Sequence, residues 1–537
     1  MKTLKKVLFG LGFVFLLTLG LTLRVDAASG GKCGTNLKWT LDDNGKLTIS
    51  GTGKMKDYTS LGRNRAPWAD QSTTGGKSAA VDMRVRSVVI KNGVTSVGDH
   101  AFDRCVALGS VSLPNSLRSI GGRAFRSCVG LQKVTIPKNV TIIGASAFEG
   151  CTSLPEITIP ASVETIGISA FKACVGIKKA VIAGPLKNLG GSAFMGCVGL
   201  TDIVIPGSVG YLNTSTFEGC QGLKSVKFTG NYMWSIGICA FKGCTSLKDI
   251  ELPESVYNID QGAFAGCVSL TEVTIPGRVQ TLKSQAYVGC INLKKAVLGQ
   301  GVKTIESAAF SQCPQLTEII IPKSVKTMKS KVFDQCPNLS VIKYAGRTVD
   351  WQKIKGIKDH ALDGVKPQVK YISSAVKSLK MSNTSISLAK KQSFQLLLKI
   401  NPVYSSKKVE WSTSDFKRVS VNANGYVTAY KTGKVTIKAK CGGKTAKCKV
   451  TVYSVDPAES IRLTRTSVSL RVGRRVTLQP VIKPSKASGT KLTYTIDNPE
   501  VAKVSDEGVV TAKKAGKATV TVTTLNGKTA KCKITVS

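Results

Sequence analysis

Histidine is almost missing from this chain, with two residues in 537. That disfavours histidine-based catalysis and histidine-rich metal sites. Aromatic residues make up only 6%, which weakens a case for stacking on sugars or bases. Acids are outnumbered, 32 against 76 Lys and Arg, for a net charge of +44. Such a surplus points to anionic partners (acidic polysaccharide, wall polymer, lipid headgroup or nucleic acid) and says nothing about fold. The chain lacks His-Glu-x-x-His, Cys-x-x-Cys and Gly-x-Ser-x-Gly. Gly-Lys-Ser/Thr occurs at 76–78, 443–445 and 527–529, but a phosphate loop's first glycine would fall on Gln71, Lys438 and Val522. No apolar run after residue 24 approaches the ~20 residues of a membrane span. What remains is 42% hydrophobic and 20% charged. This is enough apolar material for packed cores, in roughly three to four domains.

The N-terminus reads as an export signal. Lys2, Lys5 and Lys6 precede an uncharged run from Val7 to Leu23, and Val25-Asp26-Ala27 ends in a small residue suited to cleavage. The alternative is an uncleaved N-terminal anchor. Cys33 does not directly follow the apolar run, so a lipoprotein is disfavoured. Lys531 to Ser537 ends inside a strand pattern, with no sorting motif for covalent wall attachment.

Sixteen cysteines look like a disulfide scaffold until their spacing is read. Cys105, Cys128, Cys151, Cys174, Cys197, Cys220, Cys244, Cys267, Cys290, Cys313 and Cys336 follow one another in steps of 23, with a single step of 24. Three residues before each stands an aromatic: Phe102, Phe125, Phe148, Phe171, Phe194, Phe217, Phe241, Phe264, Tyr287, Phe310 and Phe333. Three residues after each stands Leu or Ile. Eleven in-register copies describe a solenoid of short coils.

Each coil follows from its residues. Leu131-Gln-Lys-Val134-Thr-Ile136-Pro137 alternates apolar and polar side chains, a strand with one buried face that proline ends. Val140 to Gly144 makes a second short extended piece. Gly98, Gly121, Gly144, Gly167, Gly190 and Gly237 end that piece, where a tight turn is expected to need positive φ. Asn213, Asp260, Lys283, Glu306 and Lys329 replace them elsewhere. Phe and Cys fill the space between the two pieces. One coil cannot bury its own faces, so stability must come from stacking. At ~4.8 Å per rung the array is a rod of roughly 50 Å.

The pattern Ala-Phe-x-x-Cys-x-x-Leu-x-x-Val-x-Ile-Pro-x-Ser-Val-x-x-Ile-Gly, over roughly residues 85–350, resembles the BspA-like class of leucine-rich repeats. That resemblance implies a secreted or surface protein of a bacterium or protist. Residues 33–53, with Asn44-Gly45 between alternating apolar runs, are similar to the hairpin that often precedes such arrays. A cap is needed there because the first rung otherwise exposes its stacking face. Tyr344, Trp351 and Ile354 resemble a closing cap at the other end.

The C-terminal third holds two copies of another module. Ser385-Ile-Ser-Leu388 recurs as Ser467-Val-Ser-Leu470, and Gly425-Tyr-Val-Thr-Ala429 as Gly508-Val-Val-Thr-Ala512. Gly443-Lys-Thr-Ala-Lys-Cys-Lys-Val-Thr-Val452 recurs as Gly527-Lys-Thr-Ala-Lys-Cys-Lys-Ile-Thr-Val536. Short alternating strands between Gly, Asn and Asp turns read as β-sandwiches of ~80 residues. The Gly-x-Val-Thr-Ala element with Gly433 or Gly516 after it resembles bacterial Ig-like group 2 domains, which implies stalks or adhesive modules. Residues 373–454 carry +14 and residues 455–537 carry +9. Such charge reads as a solubilising surface or as retention on an anionic wall polymer.

The expected organisation is therefore mainly β. It runs as signal peptide 1–27, hairpin and cap 28–84, leucine-rich-repeat solenoid with C-terminal cap 85–371, and Ig-like domains 372–454 and 455–537. The cysteine ladder is expected to be core. Stacked thiols point the same way and eleven is odd, although neighbouring Cα atoms at ~5 Å would tolerate a bridge. A Gly442-Gly443 turn sets Cys441 opposite Lys444 and Cys448 opposite Ile437, out of register for a disulfide. Cys532 matches Cys448, and Cys33 and Cys239 have no evident partner. His100 occupies a variable rim position and His360 a polar stretch beyond the cap.

The strand face carries the candidate ligand residues Lys133, Glu156, Lys179, Asp202, Asp249, Glu272, Lys295 and Glu318. They form a file of mixed charge, read either as cross-rung pairing for solubility or as a concave docking surface. No catalytic residue, metal site or cofactor is expected. The leading expectation is a non-enzymatic secreted or cell-surface adhesion or interaction protein that binds an extracellular protein or glycan. The alternatives are a basic structural protein held by anionic wall polymer and a secreted hydrolase or thiol enzyme. Export disfavours nucleic acid as a partner.

Overall fold

The computed structural model describes residues 29–537 except 61–63, 70–81, 231, 358–359, 363, 455–457, 488–491 and 525. The expected export segment and the tripeptide at 76–78 lie outside the described residues. An antiparallel meander of Ser29–Gly34, Asn36–Leu41 and Lys46–Lys54 opens the fold. Gly45 takes φ +76 in its turn, where a Cβ would lie 2.3 Å from the Arg84 carbonyl. Lys46–Lys54 then pairs in parallel with both Ser87–Ile90 and Val94–Val97, so the meander starts both sheets of the solenoid.

Most coils lend one strand to each of two parallel stacks, but the segment expected as a strand at Leu131–Pro137 keeps only a single parallel bridge, from Lys133 to Ser110. On one side Glu156–Ile159, Lys179–Ile182, Asp202–Ile205, Ser225–Phe228 and Asp249–Ile250 pair in order. On the other, two-residue strands run from Ser119–Ile120 to Asn188–Leu189 and from Tyr211–Leu212 to Thr327–Met328. Between them the aromatic rings form a buried column. Neighbouring centroids lie 5.1 Å apart at Phe102–Phe125, 5.4 Å at Phe148–Phe171 and 6.2 Å at Phe310–Phe333. Trp68 stacks on Phe102 at 5.5 Å and donates its indole N–H to the Ala101 carbonyl at 2.7 Å, which closes the N-terminal end of the column. Tyr344, Trp351 and Ile354 are buried in the same core at the other end.

The cysteines do more than fill space. The thiol of Cys128 donates to the Phe102 carbonyl at 3.1 Å, and that of Cys151 to Phe125 at 3.1 Å. The same bond recurs at each later rung, down to Cys336 on Phe310 at 3.0 Å. From Phe102 to Tyr287 each such carbonyl also accepts its own coil's Cys N–H, as Phe125 does from Cys128 at 3.3 Å. A thiol is small and apolar enough for the core yet supplies a weak donor to a buried carbonyl.

The glycine expectation needs correction. Gly98, Gly121, Gly144, Gly167, Gly190 and Gly237 do not have positive φ. They are required by close approach, since a Cβ on Gly144 would lie 2.6 Å from backbone atoms of Gly121 and Gly122. Positive φ falls two residues later, at His100, Arg123, Ser146, Ser169, Ser192, Ser215 and Cys239 among others. Where glycine is replaced, side chains bridge rungs instead: Asn213 Nδ2 donates to Leu189 O at 2.6 Å, and Glu306 accepts from Ser284 N at 3.2 Å.

Two further all-β modules follow. In the first, Gly433–Cys441 and Lys444–Tyr453 form a hairpin with Cys441 opposite Lys444 and Ile437 opposite Cys448. The second repeats it with Gly516–Thr524 and Thr529–Val536. All sixteen cysteines are unpaired.

The two turn positions predict opposite outcomes. Gly144→Ala inserts a methyl against backbone and should destabilise the solenoid by about 2 kcal/mol or more, with a sharply lower melting temperature. Ser146→Gly removes a left-handed non-glycine residue and should stay within about 1 kcal/mol of the parent. Thermal unfolding of both variants checks the assignment.

Candidate functional site

The charged file lies on one edge of the long-strand stack. Glu156, Lys179, Asp202, Ser225 and Asp249 are register partners in sequence, as are Glu272, Lys295 and Glu318. Lys133, Glu156, Lys179, Asp202, Asp249 and Glu272 are exposed, whereas Lys295 and Glu318 are half-buried. The file is not uniformly free. Glu318 pairs with Lys295 at 3.6 Å and also with Lys343. Asp202 accepts a hydrogen bond from the Ser225 hydroxyl, which holds its carboxyl below the usual range. Other rim positions carry similar cross-rung pairs, such as Lys187–Glu164 at 2.8 Å and Lys242–Glu218 at 3.1 Å. Pairs this exposed contribute a few tenths of a kcal/mol each.

The first Ig-like module lies against part of this face. Gln300 N donates to Val403 O at 2.9 Å, and Lys399 pairs with Glu251. Asp249 and Glu272 line a groove of about 590 Å³ whose other wall is the segment around Asn401-Pro402-Val403. Burial at this seam raises the Glu254 carboxyl above its ordinary pKa. The open stretch of the file is therefore its N-terminal part, Lys133 to Asp202.

The structure also gathers what composition hid. Tyr211, Trp234 and Tyr257 stand on consecutive rungs beside the short-strand stack, 42%, 43% and 37% exposed. The Trp234 ring centroid is 5.7 Å from each of the other two. A signal was present in the sequence, because the one 24-residue step, from Cys220 to Cys244, contains Tyr232-Met233-Trp234.

The histidines are structural in setting. His100 Nδ1 lies 2.9 Å from Asp103 Oδ2, and Arg126 grips that carboxylate through two bonds of 2.8 Å. The His360 carbonyl accepts from Lys331 N at 3.0 Å. Burial pushes the ladder thiols from Cys105 to Cys290 up, Cys174, Cys220 and Cys290 to about 12, which makes them poor nucleophiles. Among the described residues no cluster of His, Cys, Asp and Glu is arranged to hold a metal ion. None of their helices is long and apolar enough to cross a membrane.

Comparison with known proteins gives two matches along the chain. Residues 76–201, 187–234 and 213–340 match the BspA type leucine rich repeat region, in six copies. Residues 375–452 and 457–534 match the bacterial Ig-like domain, group 2. An uncharacterized protein of Clostridium acetobutylicum is 35% identical over 136 residues, which is 25% of this chain and 14% of that protein. A kappa-carrageenase of Pseudoalteromonas carrageenovora is 32% identical over 136 residues, 24% of this chain and 34% of the enzyme. An Ig-like virion protein of Serratia phage KSP90 is 31% identical over 137 residues, 24% of this chain and 53% of that protein. The alignments thus span about half or less of these relatives. Among solved structures, a leucine-rich repeat protein from Bacteroides ovatus is 21% identical, with 66% of this chain and all of that one covered at a TM-score of 0.36. A leucine rich cell surface protein from Faecalibacterium prausnitzii is 23% identical, with 62% and 98% covered at 0.35.

Thiol titration tests the burial pattern. Cys239 is the one cysteine not buried. In the native chain a single thiol should react quickly with an aromatic disulfide reagent at mildly alkaline pH, and Cys239→Ser should remove that phase. The other fifteen should appear only on unfolding; several fast native thiols would contradict the ladder.

Proposed function

For a chain that carries a BspA-type leucine-rich repeat region followed by two group 2 bacterial Ig-like domains, we propose the role of an exported, non-enzymatic interaction protein. The solenoid presents the binding surface to an extracellular protein or glycan. The Ig-like modules serve as stalk, and their basic surface favours contact with anionic wall polymer. One observation carries this reading: the rungs turn their thiols and rings inward and leave an open file of exposed charge over Glu156, Lys179 and Asp202. A second reading has its own support. The excess charge of the two modules favours a protein held on the wall by electrostatics alone, with no specific ligand on the solenoid.

Salt separates the two. Attraction between exposed charges is largely screened at roughly 0.5 M salt. An interaction protein should keep saturable binding to extracellular-matrix proteins or an immobilised glycan panel at that salt. Replacing Glu156, Lys179 and Asp202 together with alanine should weaken it if the charged file is the contact surface. Complete release from bacterial cells by salt, with no saturable binding to the panel, would favour the retained structural protein instead.

A further inference from the structure

We propose that Trp234 and Tyr257, with Tyr211 packed edge-on against Trp234, form a platform for an acidic polysaccharide, with Arg278 in the same groove to meet the polymer's carboxylate or sulfate groups. The proposal rests on the interaction-protein reading, but it places the contact on the short-strand side rather than on the charged file. Trp234 and Tyr257 occupy a position filled on other rungs by Thr95, Arg118, Thr141, Glu164, Lys187, Gln280, Lys303 and Lys326. A solvated position thus turns aromatic on two consecutive rungs. The neighbouring rung yields to it: a Cβ on Gly210 would lie 2.2 Å from the Trp234 indole nitrogen, so only glycine leaves room for the ring.

The platform is held rigidly. Trp234 N donates to Gly210 O at 2.7 Å and Tyr257 N to Trp234 O at 3.0 Å. The buried Ser255 hydroxyl fixes the Met233 carbonyl at 2.5 Å. Pre-ordered rings lose little freedom on binding. They also remain partly exposed. Phe394 and Tyr426 of the first Ig-like module form the opposite wall of a groove of about 540 Å³, and Tyr232, 63% exposed, stands in it. Exposed rings on a fixed frame suit the apolar face of a sugar ring, and the Ser208 and Gln395 oxygens, whose own donors bond Leu186 O and Asn424 O, can accept from its hydroxyls. Charge selects the class. The groove's lining includes Arg278 and no carboxylate, in a chain of net charge +44.

Trp234 is itself the reporter, since the other four tryptophans are buried or half-buried. The full chain is titrated with polygalacturonate, chondroitin sulfate and neutral dextran while acrylamide quenching of tryptophan emission is followed. At least one acidic polymer should protect the emission saturably, and dextran should not. Trp234→Ala, and separately Tyr257→Ala, should weaken binding measured by affinity electrophoresis about tenfold or more, with the melting temperature unchanged. Arg278→Gln should weaken the acidic polymer's binding and leave the platform folded. Equal binding of dextran, indifference to Arg278→Gln, or full affinity in Trp234→Ala would each overturn the proposal, as would no protection by either acidic polymer. If the platform variants bind normally while the Glu156, Lys179 and Asp202 variant does not, the platform fails and the interaction-protein reading stands.

Discussion

The structure depends on one contact, that of each coil with the next. A 23-residue coil has two short extended pieces, one ring and one thiol, and no inside of its own. Its Phe carbonyl is capped by a thiol from the following coil, its ring lies on the following ring, and its glycine has a neighbouring backbone where a side chain would be. Removing a buried Phe side chain costs about 3–5 kcal/mol, and the loss falls on two interfaces at once. An array built this way needs ends that differ from its middle. Trp68 supplies one by taking a ring's place above Phe102, and Tyr344 with Trp351 supplies the other.

The same contact explains which features were legible. A period repeated eleven times fixes the solenoid, because only stacking rewards strict spacing. The turn Gly442-Gly443 fixed the register of Cys441 against Lys444 in the same direct way. The glycines were misread because sequence reports that a Cβ is intolerable without saying why. A left-handed φ and a backbone at 2.6 Å leave the same mark, and the left-handed residues proved to be Ser146 and its equivalents. The thiol bond was illegible for a related reason. Cysteine in a core satisfies any small apolar slot, and its donor matters only once Phe125 O is known to lie 3.1 Å away.

Composition misled in a different way. An aromatic content of 6% describes an average over the chain. The longest run of them, Trp68 and the eleven rings from Phe102 to Phe333, is committed to the buried column, and three others are gathered at one place on the surface. Tyr211, Trp234 and Tyr257 come from separate coils, and only the stacking brings Trp234 within 5.7 Å of each of the other two. The charged file shows the converse. Its mixed signs were plain in sequence, but the approach of the first Ig-like module to Asp249 and Glu272 depends on how the two parts sit together.

In a repetitive scaffold, specificity has to enter where the repeat is broken. Identical rungs present identical flanks, and a file of Lys and Glu that pairs across rungs neutralises itself, as Glu318 does between Lys295 and Lys343. A coil one residue longer than its neighbours cannot keep the same surface. In this chain the extra residue lies between Phe228 and Ile236, the stretch that raises Tyr232 and Trp234 into solvent while Met233 remains in the core. The neighbours above and below adapt to that coil through Gly210 and Ser255 rather than excluding it. Solubility alone would be served better by the lysines and threonines found at this position elsewhere, so the aromatic departure has to be explained by what it contacts.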